Sequence, residues 1–362
     1  MKPIVNTFLT LLLPVIIYGQ EAPIKPGFNV AEYRELLKIS TRQGDSLYNN
    51  ELPAPAFFQR NYRSSVMGLD NRWELWLSKQ KTAAISIRGT TLKVESWVEN
   101  FFAAMIPASG SLKLNDELQY HYSLSEDPRA AVHIGWLIGA LTLFEDMQTK
   151  IDWCIQNDIK DFYIIGHSQG GAIAYLITSL FNTLKKQNPE IYGKIRVKTY
   201  ASAAPKPGNL YYAYAYEKLT QMGWAFNVVN SADWVPEGPF SIQTTSDFNS
   251  LNPFLYIDEE IKKMSFSKRI VLKYAFNQLN KPTRKANRKF NKYLGKIMSK
   301  QIMKYYPEFE PPIFVGSTNY VRVGNTIVLY ANSSYFEEFP NKDGELWQHH
   351  KFEAYFYLLD RL

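Results

Sequence analysis

Gly166-His167-Ser168-Gln169-Gly170-Gly171 is the stretch on which the reading of this chain turns. Phe162-Tyr163-Ile164-Ile165 precedes it, an apolar run that reads as a short buried strand. Ala172-Ile173-Ala174-Tyr175-Leu176-Ile177 follows it and reads as a helix with small residues in its first turn. Strand, tight turn with a serine, helix is the context that a nucleophile elbow requires. A side chain at 166 or 170 would strike the strand or the helix, and the strained turn projects the Ser168 hydroxyl outward. A bare Gly-x-Ser-x-Gly arises by chance in about one chain of this length in ten. The alternative reading of such a glycine-rich helix N-terminus is an anion site. The flanking strand and helix favour the nucleophile, which then needs a base, a carboxylate and an oxyanion hole from elsewhere in the chain.

With 362 residues, 46% hydrophobic and 15% aromatic, the chain can bury a large core in one or two domains. Lys2 followed by the apolar stretch Phe8 to Tyr18 reads as a secretory signal, too short to span a bilayer comfortably. Residues 1–19 are therefore expected to be removed, next to Gly19 or Gln20, although Ile17 suits a cleavage site poorly. An uncleaved anchor is the alternative. A secreted or periplasmic location follows from this reading. Cys154 is the only cysteine, which excludes an intramolecular disulfide and a thiolate metal cluster. It is expected to be a small core residue on a helix. No cofactor or metal ligand set is read from the sequence.

The formal charge of +7 is unevenly distributed. Lys262 to Lys304 holds fourteen Lys and Arg and no Asp or Glu, which leaves 27 basic against 34 acidic residues elsewhere. One segment carries all of the basic character. Nucleic acid would fit the charge, but no recognition motif accompanies it.

Apolar spacing predicts a helix over Val30 to Gln43 and a long one over His133 to Asn157. Arg72 to Ser78 and Thr82 to Ile87 alternate across a short polar turn and read as a hairpin. Lys194 to Tyr200 and Trp224 to Asn230 read as further strands. Strands alternating with helices imply a mostly parallel sheet covered on both faces. In such sheets reactive groups lie at the carboxyl ends of strands. Ser168 and Asp233 both fall there.

Of five histidines, His121 and His133 precede the serine and His167 belongs to the elbow. His349 and His350 remain as bases. The chain order for this kind of site is serine, carboxylate, histidine, and Ser168, Asp233 and either of the pair satisfy it. Asp247 and Asp258 rival Asp233, but neither ends a clear strand.

At this point the chain resembles the class 3, fungal-type, lipases of the α/β-hydrolase superfamily. Arg88-Gly89-Thr90-Thr91 with Trp97 and Asn100, Val132-His133-Ile134-Gly135-Trp136, and Ala204-Pro205-Lys206-Pro207-Gly208-Asn209 are similar to family blocks. So are Asn230 to Pro236, Tyr320 to Gly324 (the hairpin before the histidine) and His350-Lys351-Phe352-Glu353-Ala354-Tyr355. The resemblance implies an α/β-hydrolase fold over residues 20–362, with Ser168 as nucleophile, His350 as base by its spacing to Tyr355, and Asp233 as the orienting carboxylate. It implies that these three share one line of hydrogen bonds. It also implies an oxyanion hole from Gln169 and Thr90. Arg88 is expected to be an ion-pair partner and His133 a structural residue. The implied activity is lipase action on fatty-acyl esters of glycerol. A phospholipase or partial-glyceride lipase is the alternative within the class, and a silent lipid-binding protein or a serine peptidase lies further off.

The chain departs from the family pattern in three places. Gln169 stands where the family usually has leucine, which places a polar side chain near the acyl pocket. One extra residue separates Gly89 from Trp97, so Thr91 to Ile106 is expected to form a differently shaped lid. The third departure is a helical insertion at about 245–312. Its basic block, Ile261 to Tyr306, is expected to break at Pro282 and to pack on the core with a solvated basic face. The sharper alternative is a cap that adsorbs to anionic lipid through residues 262–304.

Overall fold

The structure is a computed structural model that describes residues 24–44 and 51–362, the side chain of Asp258 excepted. The expected signal segment, 1–19, lies outside the described residues.

Seven strands form the central sheet: β1 (Phe58–Arg63), β2 (Trp73–Ser78), β3 (Thr82–Ile87), β4 (Asp161–His167), β5 (Arg196–Ser202), β6 (Ala225–Asn230) and β7 (Asn325–Leu329). Their order in space is their order in the chain. β1, β2 and β3 are antiparallel neighbours, and β3 to β7 run parallel. The β2–β3 hairpin is where the alternation placed it. β5 starts two residues later than the apolar pattern suggested, at Arg196, which pairs with Asp161 of β4.

The helices used below are α1 (Val30–Ser40), α2 (Val94–Phe101), α3 (Ile134–Gln156), α4 (Gln169–Gln187), α5 (Leu210–Thr220), α6 (Phe266–Asn291) and α7 (Phe352–Leu359). Apolar faces of α3, α4 and α5 cover one side of the sheet, together with Phe162 and Ile164 of β4. On the other side α1 and α7 pack with Tyr163 and Ile165. Alternate residues of β4 thus enter different cores, which is why the strand reads as an unbroken apolar run. Cys154 lies in the first core and is buried, with its thiol pushed up to about 12 by burial. This is the central, mostly parallel sheet flanked by helices of an α/β-hydrolase.

A small second sheet orders Tyr320–Val321, Gly208–Asn209, Ala131–His133 and Met105–Pro107. It corrects one expectation. Tyr320 to Gly324 does not form a hairpin with the strand after it: Tyr320 pairs with Asn209, while β7 pairs with β6. The reversal at Gly324, with φ of +80°, passes the chain from one sheet to the other.

A second correction concerns the insertion. α6 does not break at Pro282 but runs through it. Proline removes one helical hydrogen bond and crowds the carbonyl four residues back, and that residue, Gln278, is exposed, where its carbonyl can tilt toward solvent. The irregularity comes ten residues later, in a π-helical turn at Lys292–Ile297. Phe290 is buried there with Ala103, Met105, Ala131 and Tyr320, which anchors the root of the insertion. Its N-terminal half does not pack on the core as expected. Residues 262–275 are exposed without interruption.

Candidate active site

β4 ends in His167, and the chain turns directly into α4. Ser168 occupies the turn at φ 61° and ψ −131°, a conformation that strains a residue with a side chain. A methyl group on Gly166 would overlap the Gly170 carbonyl, and one on Gly170 would overlap the Ile87 carbonyl of β3. Backbone crowding therefore requires both glycines. Ser168 is partly exposed, and the first N–H groups of α4 beside it have no acceptor within their own helix.

Asp233 follows β6 and is buried. Its Oδ2 accepts from Nδ1 of His350 at 2.7 Å and from the Tyr355 hydroxyl at 2.8 Å. Its Oδ1 accepts from the Val235 N–H at 3.0 Å. The Tyr355 oxygen accepts in turn from the Asn230 N–H at 3.1 Å, which ties α7 to the end of β6. His349 points elsewhere: its Nδ1 accepts from the Tyr335 hydroxyl at 2.7 Å and its Nε2 donates to Asn341 at 2.8 Å. Burial lowers its pKa. Asp247 is a capping residue, taking the Thr244 N–H at 2.6 Å and the Ser317 hydroxyl.

His167 joins the two halves. Its Nε2 donates to the His350 carbonyl at 2.8 Å, and its Nδ1 accepts from Ser202 at 2.9 Å. The Tyr33 hydroxyl lies 2.7 Å from the same Ser202 oxygen. Burial, with His350 adding to it, holds the His167 pKa well below its ordinary value, so the ring is neutral. The residue before the serine thus holds the backbone of the candidate base, with the two rings 4.9 Å apart. Among the described residues neither the Ser168 hydroxyl nor Nε2 of His350 has a hydrogen-bond partner. The expected line therefore runs from Tyr355 through Asp233 to His350 and is open at the serine. Such links tighten in substrate complexes.

The other side of the serine is a polar cluster. Gln169 does not line an acyl pocket as its polarity suggested; it is buried and turned into the protein. Its Oε1 accepts from the Thr90 hydroxyl at 2.8 Å, from Ser96 at 3.1 Å and from Asn100 at 3.2 Å. Asn100 also donates to the Thr90 oxygen at 2.9 Å, while its own carbonyl takes the Trp136 indole N–H at 2.9 Å, which fixes the amide's orientation. His133 donates to the Asn100 backbone carbonyl at 3.1 Å and accepts from the Trp136 N–H at 3.2 Å. It is buried and neutral, its pKa lowered by burial to about 3. Arg88 pairs with Asp70 at 3.2 Å.

Beneath the cluster lies Glu99. Its Oε2 accepts from Asn71 at 2.6 Å. Burial raises its pKa to about 8, against the opposing pull of the Asn71 and Gln169 side chains. Gly135 and Gly139 make room for it. A methyl on Gly135 would overlap the Glu99 carbonyl, and one on Gly139 would lie 2.5 Å from Oε1.

The site's rim is apolar. Trp347 lies between Trp97, edge to face at 6.0 Å, and Trp234, tilted at 5.0 Å, and is 5.7 Å from His350. Around these rings Leu92, Val94, Phe101 and Leu346 are exposed. Of the segment expected to be a lid, Thr91 to Ile106, Val94–Phe101 forms α2, whose Trp97 lies against Trp347, and the segment's last two residues enter the second sheet.

Tyr355, His167, Asn230 and Glu99 are site residues that sequence reasoning did not single out. The first three stood inside quoted motifs and were visible as motif members only. Glu99 carried no signal, because nothing local marks a glutamate as buried.

The family model for class 3 lipases matches residues 84–242. That stretch takes in Thr90, Ser168, Gln169 and Asp233; His350 lies beyond it. Among solved structures, the chain is similar to a fungal lipase in an inhibitor complex at 19% identity, over 58% of this chain and 74% of that one, with a TM-score of 0.42. It is similar to the triacylglyceride lipase of Rhizomucor miehei at 17% identity, over 59% and 77%, with a TM-score of 0.42. It is also similar to the Lip2 lipase of Yarrowia lipolytica at 17% identity, over 60% and 79%, with a TM-score of 0.43. No curated protein matches the chain. The likeness to the class 3 lipases is thus carried by residues 84–242, fewer than half of the chain.

Proposed function

We propose that this protein is an exported serine hydrolase that cleaves fatty-acyl esters of glycerol through Ser168, His350 and Asp233. The observation that carries the reading is the His350–Asp233 hydrogen bond of 2.7 Å, held against the strained serine turn by His167. In the reaction, Nε2 of His350 takes the Ser168 proton as the oxygen bonds to the ester carbonyl. Asp233 stabilises the imidazolium so formed. The intermediate's oxyanion meets the N–H groups of Gln169 and Thr90 and the Thr90 hydroxyl. To reach it, that hydroxyl turns away from Gln169 Oε1, which stays bonded to Ser96 and Asn100. Collapse of the intermediate expels the glycerol alkoxide, which takes the proton back from His350. Water then attacks the acyl-enzyme with His350 again as base, releasing the fatty acid and restoring Ser168.

The exposed Leu92, Val94, Phe101, Trp234, Leu346 and Trp347 around the site support a lipid ester over a peptide. Export rests on the N-terminal segment, and an N-terminus at Gly19 to Glu21 in protein recovered outside the cytoplasm is the expected result. The activity is tested with a panel of p-nitrophenyl esters, emulsified triglyceride and phospholipid vesicles, comparing the native protein with Ser168→Ala. The expected loss is on the order of 10⁴-fold or more on every substrate the native protein turns over. Retained turnover in the alanine variant would remove the nucleophile. Hydrolysis of phospholipid with none of triglyceride would move the substrate class.

A further inference from the structure

α6 is 26 residues long, about 39 Å at the usual helical rise. Only its C-terminal part is held. Asn287 donates to the Gly316 carbonyl at 2.9 Å and Asn291 to the Val315 carbonyl at 3.0 Å, and Phe290 is buried beside Tyr320. Phe276, Asn280, Thr283, Asn287 and Phe290 form one helical row. Burial deepens along this row from partial to complete, so it is the face turned to the protein.

The opposite row has two parts. Phe266, Ile270 and Tyr274 stand at intervals of four and are more than half exposed, at 70%, 54% and 66%. Lys281, Lys285 and Arg288 continue the same row toward the root and are exposed too. An apolar tip and a basic stem therefore share this row, and Val271, Leu272 and Leu279 expose more apolar surface on other faces of the same helix. A solvated surface helix needs no such tip, since exposing three large side chains in line brings no folding benefit. Met298–Ile302, just beyond the π-helical turn, packs on α2, and the Leu294 carbonyl takes the Ala104 N–H at 3.0 Å. The root of the arm thus packs against the segment that carries Trp97 and Phe101 of the site's apolar rim.

We propose that α6 docks this protein on anionic lipid surfaces. Phe266, Ile270 and Tyr274 enter the boundary between headgroups and acyl chains, and Lys281, Lys285 and Arg288 lie along the phosphates. Charge selects the partner: fourteen cations and no carboxylate between Lys262 and Lys304, on a chain whose remainder is net acidic, suit an anionic surface and oppose a neutral one. The proposal rests on the lipid-ester reading for its purpose, but binding is measured without turnover.

The test uses full-length Ser168→Ala protein in flotation with vesicles of phosphatidylcholine, alone or mixed with phosphatidylglycerol. Binding to the mixed vesicles is expected to exceed binding to the neutral ones at least tenfold and to fall with added salt. The triple variant Lys281→Gln, Lys285→Gln, Arg288→Gln should lose about fivefold for each charge removed. The triple variant Phe266→Ser, Ile270→Ser, Tyr274→Ser should weaken binding to both vesicles. Unchanged thermal unfolding midpoints establish that both variants fold. Equal binding to neutral and anionic vesicles, or variants that bind like their parent, would overturn the proposal. So would a dimer that the apolar substitutions dissociate, or a preference for an oligonucleotide over vesicles. Loss of vesicle binding leaves ester hydrolysis to its own test, so the two readings fail separately.

Discussion

Thr90 donates its hydroxyl to Gln169 Oε1 and accepts from Asn100, so its proton has a defined resting place, and the proposed oxyanion role is testable there. Thr90→Val keeps the shape and removes the donor. It should lower kcat on the order of 10²-fold with KM little changed, and Thr90→Ser should restore most of the loss. Steady-state kinetics on a soluble ester check this; equal losses in both variants would assign Thr90 a packing role. Glu99 gives a different readout. Its folded pKa of about 8 lies above the ordinary 4.5, so the native state holds a proton that the unfolded chain has released. Stability therefore falls as pH rises from about 4.5 to about 8 and levels off above that. The loss across the window is on the order of 5 kcal/mol, at about 1.4 kcal/mol per unit. Glu99→Gln can still accept from Asn71 and carries no charge, so it should flatten that slope. Urea unfolding at several pH values measures it, and a parental curve without the slope would place Glu99 among ionised carboxylates.

At the scale of elements, α2 and α3 approach as closely as Gly135 and Gly139 allow. Gly135→Ala meets a backbone carbonyl, which cannot yield as a side-chain end would. It should destabilise the protein by about 3 kcal/mol or more and displace Thr90 and Asn100 through α2. Chemical unfolding and ester kinetics should fall together; a stable, fully active variant would show that α2 is free to shift. The elements themselves differed in how far they could be read. The elbow was legible because strand, glycine turn and helix are contiguous, and the β2–β3 hairpin because its alternation is local. Pro282 misled, since a helix whose freed carbonyl faces water tolerates proline. Tyr320 to Gly324 misled because a two-residue strand takes its partner from Gly208–Asn209, more than a hundred residues away.

Across the whole molecule, the candidate residues lie just beyond the carboxyl ends of β4 and β6 and in the turn before α7, joined by the His350–Asp233 and His167–His350 hydrogen bonds. The order of serine, carboxylate and histidine was legible in the chain, as was the position of Asp233 after a strand. The bonds that put His350, and not His349, beside Asp233 were not. They depend on Tyr335, Asn341 and Tyr355 folding around the end of β6, and no local pattern records that. The uneven charge was legible as well, but not the outward face of α6, which shows only once Phe290 and Asn287 are seen to be buried. The account as a whole stands on Ser168 being the atom that attacks an ester. Treatment with a p-nitrophenyl alkylphosphonate, followed by peptide mass spectrometry, tests this most directly. The account predicts one phosphonyl group per chain, on Ser168, with release of p-nitrophenol and parallel loss of esterase activity. Adduct formation at another residue, or full activity after Ser168 is labelled, would contradict it.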